Sequence, residues 1–116
     1  MATLTARKLL ETGLQFASTA ATSEGDEFVN TGSEVLVVHN ANTSTTDINV
    51  TITAQQTSFE DPRLGALTKS NIVVACNKGE IEFIGPFPQE AFNDTNGKVQ
   101  ITYSAVTNLK VDVITI

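Results

Sequence analysis

The chain has no tryptophan, one tyrosine, one cysteine and one histidine among its 116 residues. With Cys76 alone, no intrachain disulfide can form, and Cys76 with His39 supplies neither a structural zinc site nor a Cys/His dyad. Cys76 reads as a small buried apolar residue, and His39 as a structural or rim residue at the end of a strand-like run. Basic side chains are scarce too: 7 Lys and Arg against 13 Asp and Glu leave a net charge of −6, and apart from Arg7-Lys8 the cations stand singly. A phosphate backbone is bound by clustered positive charge, so no nucleic acid partner is expected. The apolar runs Val35 to Val38 and Ile72 to Cys76 fall far short of the roughly 20 residues of a membrane helix, and no N-terminal stretch has the layout of a secretory signal. Synthesis in the cytoplasm and no membrane partner are therefore expected.

What is present is the material of strands. Threonine contributes 17 residues, valine 11 and isoleucine 8, all β-branched, whereas no extended window is dominated by helix formers. Apolar and polar residues alternate in Ile48-Asn49-Val50-Thr51-Ile52, in Lys98-Val99-Gln100-Ile101-Thr102-Tyr103 and in Leu109-Lys110-Val111-Asp112-Val113, giving each segment one dry and one wet face. The same period in Glu80-Ile81-Glu82-Phe83 sets both carboxylates opposite Ile81 and Phe83. Half-burial of this kind predicts an antiparallel sheet. The continuous runs at Val35 to Val38 and Ile72 to Cys76 predict central strands covered on both faces, which requires a second sheet. The expected fold is all-β: a single-domain antiparallel two-sheet β-sandwich, jelly-roll-like or related, over residues 15–116, with an N-terminal arm over 1–14.

Turn residues separate the strands at Asn30-Thr31-Gly32, Asn40 to Thr46, Asn77-Lys78-Gly79, Gly85-Pro86-Phe87-Pro88 and Asn93 to Gly97. Thr57 to Ser70, with Asp61-Pro62 and Gly65, reads as a longer exposed loop. Thr3 to Leu14 is short and uncapped, so either an extended arm or a helix fits it, and Phe87 to Phe92 has room for one helical turn.

Chemistry is hard to find. The neighbouring carboxylates Asp26 with Glu27, Glu60 with Asp61, and Glu80 with Glu82 read as solvated loop or strand faces, because nothing nearby would push their pKa values apart. No serine or cysteine lies in a nucleophile context, and no glycine loop suits a phosphate. Asn93-Asp94-Thr95-Asn96-Gly97 gathers oxygen ligands but lacks the spaced carboxylates of a calcium loop, and reads as a turn satisfying its own backbone. No catalytic residue, cofactor or metal is expected, and the protein is read as a non-enzyme. Two apolar features ask for an account: Leu4, Leu9, Leu10 and Leu14 near the N-terminus, and Phe87 and Phe92 around the prolines. Each either folds back on the core or presses against a partner.

The runs Gly25-Asp26-Glu27-Phe28-Val29-Asn30-Thr31-Gly32, Val35-Leu36-Val37-Val38-His39-Asn40, Phe83-Ile84-Gly85-Pro86-Phe87-Pro88 and Asn93 to Val99, leading into Thr102-Tyr103-Ser104, resemble a family of small tailed-bacteriophage virion proteins. Related small β-proteins in that group serve as capsid cement or decoration proteins. The resemblance implies a homotrimer on the outer capsid surface that binds the major capsid protein and bridges capsomers. A head-to-tail connector or tail protein is the alternative within the virion. A carbohydrate-binding β-sandwich, stacking sugars on Tyr103 or Phe87, is the alternative outside it. The expected capsid or subunit contacts are Leu4, Arg7, Leu9 and Leu10 of the arm and Phe87 and Phe92 of the proline loop.

Overall fold

In the computed structural model the β-branched segments pair into two sheets that enclose one apolar core. Residues 2–43, 47–55, 58–61, 63, 65–68 and 70–115 are described. Among them the order is β1 (Ala2–Leu4), β2 (Arg7–Lys8), β3 (Thr19–Ala20), β4 (Asp26–Val29), β5 (Glu34–Asn40), β6 (Ile48–Ile52), β7 (Ser58–Asp61), β8 (Gly65–Thr68), β9 (Ile72–Cys76), β10 (Ile81–Ile84), α1 (Gln89–Phe92), β11 (Lys98–Tyr103) and β12 (Leu109–Thr115). Sheet I runs β1-β4-β11-β6-β9. Sheet II runs β10-β5-β12-β2, with β3 also paired to β12.

The alternation read from the sequence sets the inner face of each sheet. Phe28, Val99, Ile101, Ile48, Val50 and Ile52 of sheet I are fully buried, as are Leu36, Val38, Val111 and Val113 of sheet II. The two long strands β5 and β12 lie side by side in antiparallel register from Leu109 opposite Asn40 to Thr115 opposite Glu34. The two-sheet architecture is the one the pattern predicts.

The N-terminal segment is extended, one of the two forms expected for it, and is not set apart from the sandwich. β1 pairs in parallel with β4, and two residues later β2 pairs in parallel with β12, so the chain steps from an edge of one sheet to an edge of the other. Residues 2–8 are thus part of the sandwich, and Leu4, at 8% exposure, is a core residue. An alternating pattern fixes which side chains face inward but not strand direction, so these parallel pairings had no local signal.

Three other expectations are corrected. Ile72–Cys76 is the edge strand of sheet I and not a central one, with Val73 59% exposed. Its unbroken apolar run reflects β-branched strand preference on an edge as well as it would burial on both faces. Thr57 to Ser70 holds a β-hairpin, with Ser58 opposite Thr68 and Asp61 opposite Gly65; Thr57, Pro62, Leu64 and Lys69 lie outside the described residues. Ser44, Thr45 and Thr46 of the predicted turn after Asn40 also lie outside them. In β10 the alternation holds but its direction is reversed: Ile81 and Phe83 face outward, while Ile84 is buried against the core.

The proline loop folds inward. Phe87 and Phe92 are 1% and 0% exposed, with ring centroids 5.8 Å apart, and Phe87 lies 5.9 Å from Phe28. These rings close one end of the sandwich. The buried amide of Asn30 holds the loop in place, donating to the Phe87 carbonyl at 3.0 Å and to Asn93 Oδ1 at 2.8 Å. The single helical turn expected before Asn93 is α1. Gly25 takes φ +99°, and a Cβ there would stand 2.5 Å from the Ile101 carbonyl oxygen, so only glycine fits this approach of the chain to β11.

Glu34, at the start of β5, is buried and accepts from the Thr31 amide at 2.6 Å and the Thr31 hydroxyl at 2.8 Å. Burial alone would raise its pKa, but the bonds from Thr31, together with those from the Glu34 and Ser33 backbone, outweigh it and hold the carboxyl below its ordinary value. A depressed folded pKa contributes stability that is fully present above the unfolded value of about 4.3 and is lost as pH falls through the folded value. Thermal melts of wild type and Glu34→Gln from neutral to strongly acidic pH should show a gap that is constant above that unfolded value and closes below it. A gap independent of pH would contradict this assignment.

Candidate functional site

The two outer faces of the sandwich differ in chemistry. On sheet I the outer face carries a polar network, flanked by the exposed Val29 and Val73. Glu27 accepts from Thr3 Oγ1, Lys98 Nζ and Gln100 Nε2, each at 3.0 Å, and Gln100 also donates to Asp94 at 2.8 Å. The bond from Gln100, followed by those from Lys98 and Thr3, holds the Glu27 carboxyl below its usual range; the Lys98 backbone N–H does the same chiefly for Asp94. Asp94 Oδ1 accepts from the amides of Asn96 at 2.8 Å and Lys98 at 3.0 Å, so the oxygen-rich stretch Asn93 to Gly97 caps its own turn.

On sheet II the outer face is apolar. The register places Phe83 beside Val37 and Asp112 beside Val37 on its other flank, with Ile114 beside Val35, all on the side away from the core. Residues 9–18 cross this face and convert it into a groove of about 260 Å³, lined by Leu9, Leu14, Phe16, Val37, Ile81, Phe83, Asp112 and Ile114. Phe83 is 68% exposed, Leu10 and Ile81 52%, and Leu9 48%. Together these side chains leave an apolar patch open around the groove.

One carboxylate holds the crossing segment in place. Asp112, 5% exposed, pairs with the Arg7 guanidinium through Oδ2 and accepts the Ala17 amide at 3.1 Å, while its Oδ1 accepts the Val113 amide at 2.9 Å. Arg7 in turn donates to the Gln15 carbonyl at 2.6 Å, and the Leu9 amide donates to Thr115 at 2.7 Å. The Phe16 ring meets His39 edge-on with centroids 6.3 Å apart. The segment is therefore tied at both ends, and the groove is a built feature of the fold.

The residues singled out in the sequence fall into two groups. Arg7, Leu9 and Leu10 lie in or beside the segment that walls the groove, whereas Leu4, Phe87 and Phe92 are enclosed in the core. Burial of the latter three keeps them from touching a partner in this fold. Leu14 belongs to the N-terminal apolar set noted in the sequence, whereas Phe16, Ile81, Phe83 and Asp112 carry no motif beyond the short strand of Ile81 and Phe83 flanked by Gly79 and by Gly85-Pro86. Short strands of that kind sit at sheet edges, where the core no longer dictates which side chains turn inward.

Among the described residues, Asp26 and Glu27 do not form a reactive pair. Asp26 and Glu27 point to opposite faces of β4: Asp26 is fully buried, accepting from the Tyr103 hydroxyl at 2.7 Å and the Thr22 amide at 3.2 Å, with its second oxygen unbonded. Burial, and then the bond to Asp26, push the Tyr103 phenol far above its ordinary pKa. Glu80 caps the Asn77 amide at 2.9 Å. The side chains of Glu60 and Asp61 lie outside the description. Among the described residues no three His, Cys, Asp or Glu side chains gather in a way that could hold a metal ion, and no helix is long and apolar enough to cross a membrane. Cys76 is buried, with its thiol pKa raised by that burial. Comparison with family models, with curated proteins and with solved structures finds no match to this chain.

Proposed function

We propose that this chain is a non-enzymatic structural protein of a phage particle that acts by protein–protein contact through the outer face of sheet II. The observation that supports the contact is the built apolar groove beside Phe83 on sheet II, whereas sheet I carries a hydrogen-bonded network with isolated exposed valines at Val29 and Val73. The particle, and the role of capsid cement or decoration protein binding the major capsid protein on the outside of the head, come from the sequence resemblance. Its acidic charge suits that side of the shell, since a chain of net charge −6 is repelled by packaged DNA. Many weak contacts repeated over a symmetric shell sum to a large stabilisation, so no single tight site is needed.

The head-to-tail connector reading shares this face and differs in copy number. The sugar-binding reading loses support from the positions of its aromatic residues: Phe87 is enclosed, and the Tyr103 hydroxyl is bound inward to Asp26. The proposal is tested by co-sedimentation of the purified protein with mature heads lacking it. Saturable binding, with greater resistance of the heads to heat or chelator, is expected. Heads that take up no protein at any concentration would refute it.

A further inference from the structure

The groove on sheet II raises the question of what covers it in the free protein. We infer that a second copy of this chain does, with the Phe83 side chain of each copy entering the groove of the other about a two-fold axis. A two-fold contact joins the same patch on both copies, so that patch has to carry both the projecting group and its receptor. Here it does: Phe83 stands 68% exposed at the lip of a groove of about 260 Å³, which is large enough to admit a benzyl side chain.

Area and charge agree with this occupant. Leu9, Leu10, Ile81 and Phe83 together expose on the order of 400 Å² of apolar surface, taking about half or more of each side chain. An interface about 60% apolar built around that patch buries on the order of 700 Å² per partner, close to the roughly 800 Å² of a standard stable complex. The acidic surplus of the chain does not oppose the contact. Of the charged residues on this face, Arg7 and Asp112 neutralise each other and Lys110 is offset by the exposed Glu11 of the crossing segment, while Glu82 lies on the other side of β10. The two-fold arrangement departs from the trimer that the sequence resemblance implies.

The inference rests on reading this face as a protein-binding surface, and the two can fail separately. Sedimentation equilibrium of the full chain, from about 1 to about 100 µM, is expected to give a mass rising to twice the 12.4 kDa of one chain. Phe83→Arg, whose site is solvent-facing, should raise the dissociation constant roughly 100-fold or more, with an unchanged circular dichroism spectrum. Val73→Arg, at an exposed site on the opposite sheet, should leave the dimer intact. A wild-type chain that stays monomeric, a trimer, or a dimer that survives Phe83→Arg would each overturn the inference. A monomer that still saturates heads refutes the dimer alone; a chain that dimerises but takes up no place on heads even at concentrations where it is monomeric refutes the capsid-binding reading alone.

Discussion

Truncating Phe92 to alanine should destabilise the domain by about 4 kcal/mol, lowering the melting temperature by roughly 15 °C. The ring is fully buried and meets Phe87 edge-on, and Phe87 in turn meets Phe28, so removing it opens a cavity at the closed end of the sandwich. Little relaxation can fill that cavity, because Asn30 fixes the Phe87 carbonyl and Asn93 from the other side. An apolar side chain of similar reach that serves only a partner would behave differently. Leu10→Ala, at a site 52% exposed, should change stability by no more than about 0.5 kcal/mol. Urea denaturation of both variants separates the roles, and a Phe92→Ala protein as stable as wild type would contradict the placement of Phe92 in the core.

Replacing Asp112 by alanine should cost about 3 kcal/mol, the lower end of the range for breaking a buried ion pair, because the Arg7 side chain is 34% exposed and partly screened by water. Arg7, the Ala17 amide and the Val113 amide all lose an acceptor at once. The damage should also be local in a way that the Phe92 change is not. With its clamp gone, the segment over residues 9–18 loosens from sheet II, and hydrogen exchange at the Leu9 amide, bonded to Thr115, should speed up more than at the central amides of β5. Asp112→Asn, which retains an acceptor oxygen but loses the charge, should fall between wild type and Asp112→Ala. Equal exchange at Leu9 in all three proteins would show that Asp112 does not hold the groove wall.

Much of this fold was legible from a few residues. Ile48, Val50 and Ile52, and Val99 and Ile101, declared their inner faces by period alone, and all five are fully buried. Asn30 and the Asn96-Gly97 turn marked the loops that end strands. What stayed hidden follows from what a local pattern encodes. Period 2 says that side chains alternate but not which set faces the core, and at the edge strand β10 the answer was the reverse of the expected one, with Ile81 and Phe83 turned out. Strand direction is likewise a long-range property, so the parallel pairing of Ala2–Leu4 and Arg7–Lys8 left no trace in a segment that read as an arm.

The candidate site was less legible than the fold. Leu9 and Leu10 are legible because apolar residues on a short N-terminal segment have to fold back on the core or meet a partner. Asp112 escaped notice because it occupies the polar position of a well-formed alternation, where a solvated carboxylate is the ordinary outcome. Its burial arises only when residues 9–18 cross sheet II, and its partner Arg7 is 105 positions away in sequence. A buried pair of that separation is visible only in the folded chain.

A chain that coats a phage shell, as we propose, is present in purified particles at a ratio to the major capsid protein near one to one, meaning hundreds of copies in each particle, which quantitative mass spectrometry measures. About six to twelve copies would move the protein to the neck or tail, and its absence from the particle would refute the proposal.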